Sequence, residues 1–556
     1  MADRLSLFEP RERLSLGENP FGKDVANLQL FQALARHGGF SQVDFLSFNP
    51  APVEAVRQAL LGSHAPHVRV TADSIFNQNI PADAGLLVRG QPDLHSLAWL
   101  RRRGPGDRAY SMIGLVHTLA PMAIRQTIGA ALVAPTQPWD AIVCTSPSVR
   151  QALSQMFDEY GDYLGERMNG IRPPQPQLPI VPLGVDGEAF AALADRPQVR
   201  AQVRAEFGLA DDEVMVLWVG RLSYFEKAFP QPMFRALQQA QLATAAKVVF
   251  VMAGWFPNAN DRALYEQAAA AHAPGVEVRM VDGNDPARVG GLWAASDIFL
   301  SLVDNIQETF GLTPLEAMAA GRPVVASDWD GYRFTVRDGE EGFLIPTLFG
   351  PQGGIGGAMS LRASMEAQSY QAYVGAFAAH TAVHVGKAAE ALARLIADPA
   401  LRRRMGEAGR ARVREAFDWK VVAKSYNALA DDLAQRRQAA ANPTSWHRMN
   451  PVRGDPFRDF AGFATAAIAP ETPLRASAWA TEAGVRDMAK VTLDASFPAW
   501  RADIEACARA FSLVAQGQAH SAKDVLLAFP QGERRAVEMG LLWLAKHGFL
   551  DWLPAA

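Results

Sequence analysis

The stretch "IFLSLVDNIQETFGLTPLEAMAAGRPVVAS" (298–327) holds two short apolar, β-prone runs, IFLSLV and RPVVAS, on either side of a helix-length segment that Gly321 stops. Strand, helix and strand in this order read as one parallel β-α-β unit. The middle invites two readings. Thr313-Pro314-Leu315-Glu316 fits a capping box with proline at the first helical position, in which Glu316 reaches back to the Thr313 N–H and Glu308 is a solvated loop residue. Alternatively, the small, flexible FGLT before the helix start turns several N–H groups and a partial positive charge toward a ligand, which suits a phosphate.

The same alternation extends in both directions. Toward the N-terminus, "VDFLSF" (43), "VRVT" (68), "AGLLVRG" (85), "YSMIGLVH" (110), "AIVCTS" (141) and "LPIVPLGV" (178) alternate with helical stretches. After a polar, proline-bearing stretch at 187–212, the pattern restarts with "VMVLWVG", "KVVFVMAG" and "VEVRMV" and runs into 298–327. The expected fold class is therefore α/β, with two doubly wound parallel sheets facing a cleft at the carboxyl ends of their strands and a hinge near residue 187. Residues 398–437 are helical in composition and end the second domain.

Length and composition bound the rest. A chain of 556 residues suggests about three domains. With 49% hydrophobic residues, 20% charged residues and a net charge of −4, bulk electrostatics do not favour nucleic acid. Only Cys144 and Cys507 occur, which fits a reducing compartment and excludes a disulfide framework. The first twenty residues lack the apolar core of a signal peptide, and the run "KVVFVMAGWF" is too short to span a bilayer. The expectation is a cytoplasmic protein whose membrane contact, if any, is peripheral.

Beyond the linker "AAANPTSWHRMNPVRGDP" (439–456), residues 455–556 suffice for a small accessory domain. From about residue 500, three helices followed by a short strand resemble a winged-helix domain, with Ser521 capping the second helix. This region carries 10 Lys and Arg against 12 Asp and Glu, a net of −2, so a protein partner or self-association is expected and nucleic acid is not.

The strand "VLWVG" ends at Gly220 and puts Arg221 and Lys227 in the next loop, where each is either a solvated charge or a ligand for a diphosphate. Taken with "IVPLGVDGEAF", "GFLIPT" and "LRRRMGEAGRARVREAFDW", these motifs resemble the GT-B-fold glycosyltransferases of family 4 over most of residues 20–437. The resemblance implies an acceptor-side domain at 1–186, a nucleotide-sugar domain at 187–416 and a crossing helix at 417–440. It also implies Glu308 at the donor sugar, Glu316 at the ribose, Arg221 and Lys227 at the diphosphate, and the helix-start residues Phe310, Gly311, Leu312 and Thr313 around the distal phosphate. His117 stands where that family carries a histidine beside donor and acceptor; a packed or solvated histidine is the other reading. Where many relatives have paired glycines after the first strand, this chain has Gly22 followed by Lys23, so charge there replaces close backbone approach.

The reaction so implied is transfer of a sugar from a nucleotide-sugar donor to an unidentified acceptor, with retention of configuration, no cofactor and no metal. Asp328-Trp329-Asp330 reads as a loop and not as a metal-binding pair, and "GGIGG" (353–357) as a mobile surface loop. Three alternatives stay open: a phosphorylase, a sugar-nucleotide epimerase, or a scaffold with a vestigial transferase core.

Overall fold

A strand inside a parallel sheet is covered on both faces, and most strands of the two sheets are buried in the computed structural model, which describes residues 3–11, 14, 22–441 and 447–552. The first sheet contains β1 (Arg4–Phe8), β2 (Gln42–Ser47), β3 (Arg69–Ser74), β4 (Leu86–Arg89), β5 (Ser111–Leu115) and β6 (Ala141–Val143). All pairings are parallel, in the order β3-β2-β1-β4-β5-β6. The second sheet contains β7 (Val214–Val219), β8 (Val248–Gly254), β9 (Glu277–Asp282), β10 (Ile298–Ser301), β11 (Val324–Ser327) and β12 (Gly342–Ile345), in the order β12-β11-β10-β7-β8-β9. Counted from its own first strand, the second sheet repeats the winding of the first. Each sheet therefore reverses direction beside its first strand, at β1/β4 and β7/β10, which opens a crevice at the carboxyl ends. Two such domains form the GT-B architecture.

Three segments differ from their sequence reading. "LPIVPLGV" forms no strand; it follows β6 through isolated bridges at Gln177 and Ile180, because Pro179 and Pro182 lack the N–H groups a ladder needs. The stretch 187–212, read only as polar and proline-bearing, folds into the Gly187–Ala194 and Pro197–Glu206 helices. Asp186 caps the first and Pro197 opens the second, while Arg200 and Arg204 reach Asp297 at 2.6 and 2.9 Å. "GGIGG" enters the Gly354–Ser364 helix, with Gly353 at φ +97° as its N-cap; the Ala, Met, Leu and Arg that follow sustain it. No side chain of that helix is buried.

The chain passes between the two domains twice, at Val185 and at Phe417–Trp419. The two passages are paired: Val185 N donates to Phe417 O at 2.9 Å and Trp419 N to Val185 O at 3.2 Å. The Trp419–Ala439 helix then packs against the Gly22–His37 helix of the first domain. Asn427 Nδ2 donates to Gly38 O at 2.6 Å and Arg437 Nη1 to Gly85 O at 2.6 Å.

Pro451–Ala556 forms a separate unit; residues 442–446 of the expected linker lie outside the described residues. Its core includes Val485, Phe511, Val525, Leu541, Leu544 and Phe549. Around it stand the Glu482–Met488, Ile504–Ala515, Ala522–Leu527 and Arg534–Lys546 helices. Ser521 and Asp524 close a capping box on the third. Leu474–Ala476 and Leu550–Trp552 make a two-stranded antiparallel ribbon, so the terminal strand has a partner that helical periodicity did not reveal. Among the described residues no helix is long and apolar enough to cross a membrane.

Candidate active site

Between the two sheets of the first unit lies a cavity of about 620 Å³. Its walls bring together Gly22, Lys23, His117, Arg221, Lys227, Glu308, Phe310, Gly311, Leu312, Thr313 and Glu316, which the chain spreads over nearly 300 positions. The strand ends meet closely at its base. A Cβ on Gly254, which ends β8, would lie 1.8 Å from Gly220 O at the end of β7, so no side chain fits there.

The loop after β10 carries the first carboxylate. Lys227 Nζ donates to Glu308 Oε2 at 3.1 Å. Burial pushes the Glu308 carboxyl up, but the Lys227 charge and hydrogen bond, with the Phe310 and Thr309 amides, more than offset this and hold it below its ordinary value. Phe310 N–H is thus directed at Glu308 and not at an open phosphate position. Arg221, after β7, pairs with Glu226, a carboxylate that sequence reading passed over although it adjoins Lys227, and its guanidinium lies 5.9 Å from the Trp255 ring centre. Both expected diphosphate cations reach the cavity, and each is already matched with a carboxylate.

The helix after Glu308 starts two residues earlier than a capping box requires. It spans Leu312–Ala319 with Gly311 as N-cap, and Thr313 makes no side-chain cap. Gly311 has φ +81°, and a Cβ there would stand 1.9 Å from Tyr332 Cε1, so only glycine fits at this turn, and Pro314 falls inside the first helical turn. Glu316 therefore sits one turn into the helix, facing the cavity, with no hydrogen bond to its carboxylate among the described residues. Burial pushes it up to about 7.

His117 follows β5 on the opposite wall. Its Nε2 lies 2.8 Å from Gly90 O and 2.7 Å from Asn27 Oδ1. A carbonyl can only accept, so Nε2 carries the proton and Nδ1 is the lone-pair nitrogen. Burial pulls this imidazole down to about 4, which keeps it neutral at pH 7. Gly22 and Lys23 open the Gly22–His37 helix at the cavity edge, where a Cβ on Gly22 would meet nothing among the described residues.

Residues that sequence reading did not place in the site hold the walls together. Thr309 Oγ1 donates to His117 O at 2.7 Å, Thr145 Oγ1 to Thr309 O at 3.2 Å and Ser146 Oγ to Asp330 Oδ1 at 2.6 Å. All three cross from one α/β domain to the other. Asp330 is half-buried; desolvation and, less strongly, the Glu308 charge push its carboxyl up to about 7. Asp328 pairs with Arg333 at 3.0 Å. Among the described residues no three His, Cys, Asp or Glu cluster as metal ligands.

Residues 199–348 match the family described as glycosyl transferases group 1. D-inositol 3-phosphate glycosyltransferase of Nocardia farcinica is 32% identical over 175 residues, covering 30% of this chain and 36% of that protein. The protein of the same name from Actinosynnema mirum is 26% identical over 346 residues, 58% of this chain and 80% of its own length. The match thus spans about a third of the first relative and most of the second. Among solved structures, sucrose-phosphate synthase from Thermosynechococcus elongatus aligns at TM-score 0.48 and 20% identity, over 78% of this chain and 100% of its own. HepE of Anabaena in complex with UDP-glucose aligns at 0.48 and 15%, over 78% and 99%. The family match falls on the second α/β domain, the one that carries Arg221, Lys227, Glu308 and Glu316.

Proposed function

We propose that this protein is a glycosyltransferase that moves a sugar from a nucleotide-sugar donor to an acceptor held on the first α/β domain. One observation carries the reading. In a cleft of about 620 Å³, Glu308 is held ionised by Lys227, while Glu316, eight residues on, faces the same space unpartnered among the described residues. A cleft of this size suits a nucleotide sugar, and two carboxylates of unlike environment suit two different sets of hydroxyls. The family match over 199–348 and the relatives named above support sugar transfer.

In the reaction so read, the bond from the anomeric carbon to the diphosphate oxygen breaks and the nucleoside diphosphate leaves with the electron pair. The acceptor hydroxyl oxygen bonds to that carbon and its proton passes to the departing phosphate. Charge develops on the leaving oxygen. Lys227, Arg221 and the backbone N–H groups at Gly311 and Leu312 offer preorganised stabilisation there, and so the reading requires no metal. Glu308 accepts from donor sugar hydroxyls and Glu316 from the ribose. Neutral His117 turns its Nδ1 lone pair toward donor and acceptor. Retention of configuration and a cytoplasmic location belong to the same proposal. The unit from Pro451 is read as a winged-helix-like module for a protein partner or a second copy, since its net charge of −2 opposes nucleic acid.

The test is a thermal-shift panel of nucleoside diphosphates and nucleotide sugars, followed by product analysis with the best donor. A glycosylated acceptor with the free nucleoside diphosphate supports transfer. Release of a sugar phosphate or an epimerised donor replaces it with phosphorolysis or epimerisation, and no nucleotide binding leaves a scaffold.

A further inference from the structure

The carboxyl edge of the first sheet carries a feature outside the cavity. Four side chains at successive strand ends touch in a row across β4, β1, β2 and β3. The Arg89 guanidinium lies 5.0 Å from the Phe8 ring centre, Phe8 meets Phe48 edge-on at 5.7 Å, and Phe48 lies beside Phe76 at 6.1 Å with their planes 20° apart. Phe8 is buried, but Phe48 and Phe76 are 50% and 65% exposed, an outlay of apolar surface that packing does not require. Neighbouring strands lie about 4.8 Å apart, so the row runs for roughly 14 Å. Its inner end adjoins the cavity, because Gly90, next to Arg89, accepts from His117.

The two exposed rings are held in place. Ser74 Oγ donates to Phe48 O at 3.1 Å and accepts from Phe76 N at 3.3 Å, and Ile75 N donates to Ser47 O at 2.9 Å. Both backbones are thus fixed through one hydroxyl, so a ligand laid on the rings orders little that is not already ordered. Polar groups flank the rings: Asn49 and Asn77 are exposed, and Asp73 accepts from Asn77 Nδ2 at 3.1 Å. Residues 47–56 and 73–84 contain Glu54, Asp73 and Asp83 and no Lys or Arg. Among the described residues of these two segments no cation faces an anionic phosphate or lipid headgroup, and Arg89 at the inner end of the row is only 13% exposed and paired with Asp93 at 2.6 Å, whereas a sugar ring fits. Its C–H face lies on an aromatic face, and its hydroxyls exchange hydrogen bonds with amides and carboxylates.

We propose that Phe48 and Phe76 form a platform for a carbohydrate acceptor, an oligosaccharide whose reacting end enters the cavity past Gly90 and His117. This rests on the transferase reading for the direction of the chain, but the binding itself does not.

Saturation-transfer NMR with cellotriose, maltotriose and chitotriose as probes tests it on the full chain. The expected result is transfer from the wild type to the ring protons of at least one trisaccharide. It should fall about ten-fold in the Phe48→Ala/Phe76→Ala double variant and persist in Phe48→Trp. Because both rings are exposed, the double variant should keep the wild-type melting temperature and the wild-type thermal shift with UDP, GDP and ADP. Transfer that is unchanged in the double variant, or absent from the wild type with all three probes, overturns the platform. Co-sedimentation of the wild type with phosphatidylglycerol vesicles that the double variant loses overturns it too, in favour of a lipid surface. If a trisaccharide binds through the two rings while no nucleotide binds, the transferase reading fails and the platform stands.

Discussion

Thr309 donates its hydroxyl hydrogen to the carbonyl of His117 at 2.7 Å, joining the loop beside Glu308 to the strand end of the opposite domain. Because the bond bridges the two α/β domains, it should set how often the cleft opens. Removing one such hydrogen bond costs about 0.5–1.5 kcal/mol. Thr309→Val should therefore keep the fold, speed hydrogen exchange at residues 116–119, and weaken nucleotide binding by up to about ten-fold. Calorimetry with exchange mass spectrometry reads both; unchanged exchange would remove the bond from the control of opening.

Asp330 and Glu316, both pushed up to about 7 by burial, hold their protons more tightly in the folded chain than in the unfolded one. Between roughly pH 4 and pH 7 the unfolded chain releases these protons first, so their contribution to stability is full below that window and is lost as pH rises through it. Asp330→Asn keeps an acceptor for Ser146 and removes the titration. The ligand-free melting temperature should fall less between pH 5 and pH 8 in Asp330→Asn than in the wild type.

Glu316 separates a ligand group from a helix cap. Because Gly311 caps this helix, Glu316→Gln and Glu316→Ala should unfold near the wild-type temperature. A carboxylate that accepts ribose hydroxyls contributes roughly 1.5–3 kcal/mol, so both variants should bind nucleoside diphosphate about ten- to a hundred-fold more weakly. In the wild type, affinity should rise from pH 6 to pH 8 with release of a proton, which calorimetry in buffers of different ionisation enthalpy detects. Glu316→Gln should lose that dependence.

Lys227 and Glu308 should act differently although they touch. Glu308→Gln is expected to leave free nucleotide binding nearly unchanged and to lower turnover of the nucleotide sugar. Lys227→Ala should depress both turnover and nucleoside diphosphate affinity, since it removes a cation from the leaving group and leaves the buried Glu308 carboxylate without its charge partner. Equal behaviour of the two variants toward the free nucleotide would place Glu308 at the phosphates and not at the sugar.

A chain ending at Asn450 should remain folded and bind nucleotide, because Pro451–Ala556 has a core of its own and every described residue that lines the cavity precedes it. Circular dichroism and the nucleotide thermal shift check it.

The architecture was legible because the central strands, such as β7, β8 and β10, are nearly uninterrupted apolar runs, and the outer strands β3 and β9, though they carry charged residues, still alternate with helices; "LPIVPLGV" was read as a strand on the same pattern and forms none. Proline betrayed that exception, and β1 went unread because RLSLF alternates at the start of a charged segment. In the site, motif spacing placed Glu308, Glu316, Arg221 and Lys227 on one cavity, but it could not show what each touches. The helix takes its N-cap at Gly311, two residues before the local capping signal at Thr313, and the fit that demands glycine there is against Tyr332, twenty-one residues away, which no local pattern reveals. The Arg221–Glu226 pair and the Thr309, Ser146 and Asp330 bonds are side-chain geometry, which no periodicity records.

The paired passages at Val185 and Phe417–Trp419 limit how the two α/β domains can move. A single tether leaves three rotational degrees of freedom, whereas two tethers hydrogen-bonded side by side suppress twisting and leave mainly a swing about the line joining them. Each opening then retraces nearly the same arc and returns Glu308 and His117 to the same facing positions. A proteolytic nick in either passage would leave the domains attached through the other, at the cost of that registry.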